Sequence, residues 1–251
     1  MIITVSNYKE KVGKTFIATE LAKRVASCGY ETLLMDFGTS YWSCANLLDV
    51  KPFEKRDVYE FLTTETNLYD LVIDTDDNQL SLLEGSERTL KIFPFRYGRF
   101  ASSNPLVKQF NKVRDFECVI IDTMDKDPIL SIVHRLSDFV IIPTDGYESS
   151  IKSSKNIVSD LQTHKSAGWK GEFGVLINNI YGKFPFEAKA DDDLPLLPMQ
   201  VSTYGRSRNF YGQYDSRLEE NSISIEMDEI LEWIFMQKGD SYYVNKSFHI
   251  R

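Results

Sequence analysis

Apolar and polar positions follow two rhythms along most of this chain. Short, nearly continuous apolar runs occur at IITVS (2–6), ETLLMDF (31–37), LKIFPF (90–95), FECVIID (116–122), DFVIIPT (138–144) and EFGVLINN (172–179). Their length predicts strands, and the near-continuous apolarity of the last four is that of parallel strands covered on both faces. Between them the apolar period lengthens to that of a helix. FIATELAKRVASCG (16–29) places Ile17, Ala18, Leu21, Ala22 and Val25 on one face and closes on Gly29, a helix-stop residue. Further helices are predicted near 103–114, 126–136 and 148–166. The stretch ISIEMDEILEWIFMQK (223–238) is amphipathic, with Ile223, Met227, Ile230, Leu231, Ile234 and Phe235 on one side. This strand–helix alternation predicts the α/β class: one doubly wound, mostly parallel sheet flanked by helices, formed by residues 1–251 as a single domain. No repeat, low-complexity tract or interdomain linker interrupts it. EAKADDDLPLLPMQ (187–200) reads as a long surface loop.

Composition narrows the chemistry. Apolar residues make up 42% of the chain and charged residues 26%, as in ordinary folded proteins. The formal charge of −8 excludes a surface that attracts nucleic acid over its whole extent. Cys28, Cys44 and Cys118 form no CxxC pair, and His134, His164 and His249 show no metal-ligand spacing. The N-terminus lacks a basic, apolar leader pattern and no run reaches the length of a membrane span, so the chain reads as cytoplasmic.

The polar residues after the first strand change the picture. NYKEKVGKT (7–15) ends in Gly13, Lys14 and Thr15 at a strand-to-helix turn. Phosphate binding at such a turn uses backbone N–H groups, a lysine for the outer phosphates and a Ser/Thr hydroxyl for Mg²⁺. CVIID (118–122) is an apolar strand ending in Asp122, suited to holding Mg²⁺ through water, and ETLLMDF carries Asp36 near its end.

Taken together, these stretches resemble the ParA/MinD family of deviant Walker P-loop ATPases. That family's loop reads K-G-G-x-G-K-T, and KEKVGKT keeps Lys9, Gly13, Lys14 and Thr15. LLMDFG, VIIDT, SDFVIIPTDGYESSIKS and GVLINN continue the resemblance in order over about 1–180. It implies a site for ATP or ADP with Mg²⁺. The phosphates would be held by Lys14 and by the backbone of Lys11, Val12, Gly13, Thr15 and Phe16. Thr15 and Asp122 would order the metal, and Asn178 or Asn179 would read adenine. Lys9 would reach the partner's phosphates across an ATP-sandwiched homodimer, and Asp36 and Lys9 are the candidate catalytic residues.

Three departures qualify the resemblance. Glu10 and Lys11 replace the two glycines after the first lysine; Glu10 is a steric and electrostatic obstacle to the sandwich dimer. Gly38 replaces the second aspartate of the family's D-x-D, which is associated with hydrolysis. DTMD replaces DTPP after the second aspartate strand. The expectation is a nucleotide binder of a DNA partition, segregation or transfer system with weak or absent turnover. It would contact a DNA-bound adaptor such as a centromere-binding protein, plasmid partition being one setting. An active Mg-ATPase that positions cargo, and a nucleotide-independent interaction protein, are the alternatives.

Charge distribution bears on partners. Residues 49–87 hold eleven acids and three bases, whereas 85–115 hold seven bases and two acids, interleaved with Phe93, Phe95, Tyr97 and Phe100. Weak, salt-sensitive contact with non-specific DNA would use that basic segment, although a solvated helix face beside core aromatics is the blander expectation. The helix at 223–238 presents Glu226, Asp228, Glu229 and Glu232, the wrong sign for anionic lipid, and is expected to pack on the domain.

Overall fold

A computed structural model of the chain describes residues 1–38, 43–51, 56–91, 105–125, 129–178, 194–201 and 220–238. Its strands are β1 (Ile2–Val5), β2 (Thr32–Asp36), β3 (Ile73–Asp74), β4 (Leu80–Leu83), β5 (Cys118–Asp122), β6 (Phe139–Thr144), β7 (Glu172–Asn178) and β8 (Leu196–Val201). They form one sheet in the order β3-β4-β2-β5-β1-β6-β7-β8, with all neighbours parallel except β3 and β4. The helices are α1 (Lys14–Ser27), α2 (Cys44–Leu47), α3 (Val58–Thr63), α4 (Leu68–Leu71), α5 (Pro105–Lys112), α6 (Leu130–Leu136), α7 (Glu148–Ser166) and α8 (Glu220–Lys238). The α/β class and the doubly wound, mostly parallel sheet are as the apolar rhythm predicts.

Strand side chains alternate between two buried faces, as the two-residue period requires. Ile3, Val5, Leu34, Ile120 and Ile141 pack with Ile17, Leu21 and Val25 of α1 on one face. Leu33, Met35, Val119 and Ile121 pack with Phe61, Phe110 and Val133 on the other. The amphipathic C-terminal helix joins the first face through Met227, Ile230, Leu231, Ile234 and Phe235, all buried. Arg24 of α1 clamps it there, donating from Nε and Nη2 to the two carboxylate oxygens of Asp228 at 2.6 and 2.8 Å.

Two expectations fail. The strand beside β2 is Leu80–Leu83, not 90–95: residues Glu87–Lys91 form a 3₁₀ helix, and 92–95 lie outside the described residues. LSLL is short and interrupted by Ser81, yet Leu80 and Leu82 fill one core and Leu83 the other. Within the stretch read as surface loop, Leu196–Val201 is strand β8. Pro198 cannot donate to a ladder, which a sheet tolerates at an edge. The pairing with β7 shifts register around it, between Val175–Leu196 and Ile177–Gln200.

Parallel register positions the site. Asp36 of β2 lies directly beside Asp122 of β5, and Val5 of β1 beside Asp122 on the other flank. The loop leaving β1 therefore rises next to two carboxylates at the carboxyl edge of the sheet, where open α/β sheets bind ligands.

Candidate functional site

The segment from Ser6 to Lys14 is tied down at both ends. Asn7, fully buried, donates its side-chain amide to the Pro143 carbonyl at 2.6 Å and to Ser154 Oγ at 3.2 Å. Its Oδ1 accepts from the Lys9 N–H at 2.9 Å and from Ser153 Oγ at 2.6 Å. At the far end Asn178 donates to the Val12 carbonyl at 2.9 Å, so β7 braces the loop from below. Gly13 and Lys11 both adopt left-handed backbone conformations, with φ of 88° and 60°. The first suits glycine. The second costs lysine on the order of 1 kcal/mol. Glu10 and Lys11 are both exposed, so the loop accommodates two large residues by turning them to solvent.

Lys14 opens α1 with no side-chain cap on the helix N-terminus. Its free backbone N–H groups and positive dipole end form a natural anion site. The buried Lys14 ammonium donates to the Lys9 carbonyl at 3.0 Å and to Asp125 Oδ1 at 2.5 Å. Next to it Thr15 Oγ1 donates to Asp122 Oδ2 at 2.6 Å. The other Asp122 oxygen, Oδ1, is buried and has no hydrogen-bond partner among the described residues. Asp36, also fully buried, accepts from the Gly38 and Cys44 N–H groups at 2.6 and 2.9 Å. Burial foremost, and for Asp122 the neighbouring Asp36 charge, push both carboxyl pKa values above their ordinary range. Two close buried carboxylates with an unsatisfied oxygen and an adjacent hydroxyl are a donor set suited to a divalent cation.

The structure thus gathers Lys11, Val12, Gly13, Lys14, Thr15 and Phe16 into one loop and helix start, with Asp122 and Asp36 beneath. Asn178 stands behind that loop with its amide engaged; Asn179 lies outside the described residues. Lys9 turns back within its own chain, donating to the buried Asp145 carboxylate at 3.0 Å. Gly38 is confined: a Cβ there would meet Asp36 Oδ1 at 2.8 Å. Sequence reasoning missed Asn7 and Asp145, which lie in unremarkable polar contexts. It also missed the place of Cys44 beside the two aspartates, which depends on how the chain after β2 folds back.

Within the basic segment, Lys108 and Arg114 are exposed. Arg88 is held by Asp57 at 2.7 Å and Glu60 at 3.0 Å and stacks over Tyr59, while Arg96 and Arg99 lie outside the described residues. No helix among the described residues is long and apolar enough to cross a membrane.

Residues 1–169 match the model of a family described as an AAA domain. An uncharacterized protein of Methanocaldococcus jannaschii is 22% identical over 197 residues, covering 75% of each chain. Among solved structures, a putative plasmid partition protein of Borrelia burgdorferi bound to AMPPNP superposes with a TM-score of 0.68 at 21% identity, covering 94% of this chain and 98% of that one. The septum site-determining protein MinD of Pyrococcus horikoshii, complexed with Mg-ADP, gives 0.71 at 19% identity over 98% of both chains. At these identities the structural similarity establishes the fold.

Proposed function

Since the chain belongs to the AAA-domain family matched over residues 1–169 and has the ParA/MinD-type P-loop fold, we propose that it is a ParA-like ATP-binding protein of a DNA partition, segregation or transfer system. Nucleotide state would control its contact with a DNA-bound partner, and hydrolysis would be weak or absent. The reading rests on the corner formed by Gly13, Lys14 and Thr15: an uncapped helix start, a buried ammonium and a hydroxyl bonded to Asp122. The AMPPNP and Mg-ADP complexes of the similar proteins support ATP or ADP with Mg²⁺ as the ligands.

In this proposal the loop N–H groups and Lys14 bind the phosphates. Thr15, Asp122 and, beside it, Asp36 hold Mg²⁺, which would neutralise phosphate charge when bound. Lys14 exchanges the Asp125 carboxylate for a phosphate oxygen, so ligand entry reaches the segment that follows β5. Adenine contact is assigned to the end of β7, at Asn178 and Asn179; Asn178 would have to leave Val12 to make it. Three features favour weak turnover. Lys9 is engaged by Asp145, Glu10 is exposed on the loop, and Gly38 supplies no carboxylate. A second reading, a working Mg-ATPase that positions cargo through homodimer cycles, draws on Asp125, a third carboxylate within reach of Lys14.

Steady-state phosphate release, measured beside light scattering with and without ATP, separates the two. The proposal expects near-background release and no stable ATP-dependent dimer. Brisk release from a nucleotide-dependent dimer would establish the second reading instead.

A further inference from the structure

Beneath the loop, three ligating side chains converge whose chemistry exceeds what a magnesium site requires. Cys44, Asp36 and Asp122 are all buried, and one ligand atom from each lies within 4.8 Å of the others. The Cys44 sulfur is 3.9 Å from Asp122 Oδ2, and the Cys44 N–H holds Asp36 Oδ2. Independently, Asp122 Oδ1 is buried without a hydrogen-bond partner among the described residues. A carboxylate oxygen so placed calls for a donor or a cation.

We propose that Asp36, Cys44 and Asp122 form a site for a thiophilic divalent cation of the zinc, cobalt or cadmium class, filled without nucleotide. The three ligand atoms lie within 4.8 Å of one another and must draw together around one ion. Such an ion holds sulfur at about 2.3 Å and carboxylate oxygen at about 2.0 Å, which places two tetrahedral ligands roughly 3.5 Å apart. The observed 3.9 Å needs to close by only a few tenths of an ångström. One soft and two hard ligands suit these borderline ions, whereas Mg²⁺ gains nothing from a sulfur ligand. Coordination replaces the thiol proton, which passes to solvent, and neutralises two carboxylates that otherwise face each other buried. The Thr15 hydroxyl, already on Asp122, stands next to the site. An ion there would occupy the floor of the phosphate pocket, so metal identity would decide which nucleotide complexes form.

Cobalt reports directly on sulfur ligation. The full chain, reduced and free of nucleotide, would be titrated with Co²⁺ while recording the near-ultraviolet thiolate-to-cobalt charge-transfer band. The band should appear at one equivalent, be lost on adding Zn²⁺, and withstand millimolar Mg²⁺. It should vanish in Cys44→Ser and persist in Cys28→Ser, whose thiol is the partly exposed one. Asp36→Asn should keep the band but weaken cobalt affinity by more than about 100-fold, beyond the usual effect of a residue that merely orients a ligand. Absence of the band in the wild type, its survival in Cys44→Ser, or displacement by Mg²⁺ would each overturn the proposal. Because no nucleotide is present, failure here leaves the ATP assignment intact, and failure of ATP binding leaves this site intact.

Discussion

Asp125→Asn isolates the ion pair that holds Lys14 when no phosphate is bound. Lys14 is only 9% exposed at its side chain, but Asp125 is 34% exposed, so solvent screens a good part of their attraction. Fully exposed pairs contribute 0.2–1 kcal/mol, and this half-shielded one is assigned about 1 kcal/mol. A phosphate must displace Asp125 to reach the ammonium, so that amount is subtracted from the binding free energy. Asparagine removes the charge while keeping shape and an acceptor oxygen. ATP·Mg affinity should therefore rise about five-fold, since 1.4 kcal/mol corresponds to ten-fold. Isothermal titration calorimetry on wild type and variant measures it, and the gain should shrink in high salt as screening removes what the mutation removed. An unchanged or lower affinity in Asp125→Asn would refute the competition between carboxylate and phosphate.

Other outcomes follow from the same contacts. Arg24→Ala leaves Asp228, 7% exposed, without its bidentate partner; urea unfolding should show a loss of about 1–3 kcal/mol, and a change below roughly 0.5 kcal/mol would mean the clamp does not hold α8 to α1. His134 is buried against Ser6, and burial pushes its pKa down from 6.5 to about 3. The unfolded chain then binds the proton first. Its contribution is complete above pH 6.5 and is lost as pH falls toward 3, about 1.4 kcal/mol by pH 5.5. Glu84 works in the opposite sense, raised to about 7 chiefly by burial, so the test is a difference. Between pH 7.5 and 5.5, wild type should lose about 1.4 kcal/mol more than His134→Gln; equal losses would exclude His134 as the cause.

The apolar rhythm made most of the fold legible because parallel strands are buried on both faces and leave long apolar runs. It failed where local pattern and burial part company. LSLL is too short and too polar to stand out, and is a strand because β2 offers it an unpaired edge. Leu196–Val201 hides behind three aspartates and a proline that only an edge strand tolerates. In the site, GKT and the two strand-terminal aspartates were readable as motifs, since their chemistry is fixed by spacing. The contacts that set their state were not. The Lys14–Asp125 and Lys9–Asp145 pairs span more than 100 residues of sequence, and the Cys44–Asp122 contact spans 78. Such pairings arise from the register of β1, β2, β5 and β6 and leave no periodic trace. The exposure of Glu10 and Lys11 was also hidden, because it depends on the left-handed turn at Lys11.

Nucleotide binding through Lys14 is the claim on which the rest depends, and calorimetry of ATP·Mg with wild type and Lys14→Ala tests it most directly. Removing the ammonium deletes a charge-assisted contact to phosphate of about 2–3 kcal/mol, so affinity should fall roughly 30–150-fold. Circular dichroism should show the variant folded, since Lys14 makes its contacts to the loop and to Asp125 and not to the core. Equal binding by the two proteins, or no binding by the wild type, would contradict the account.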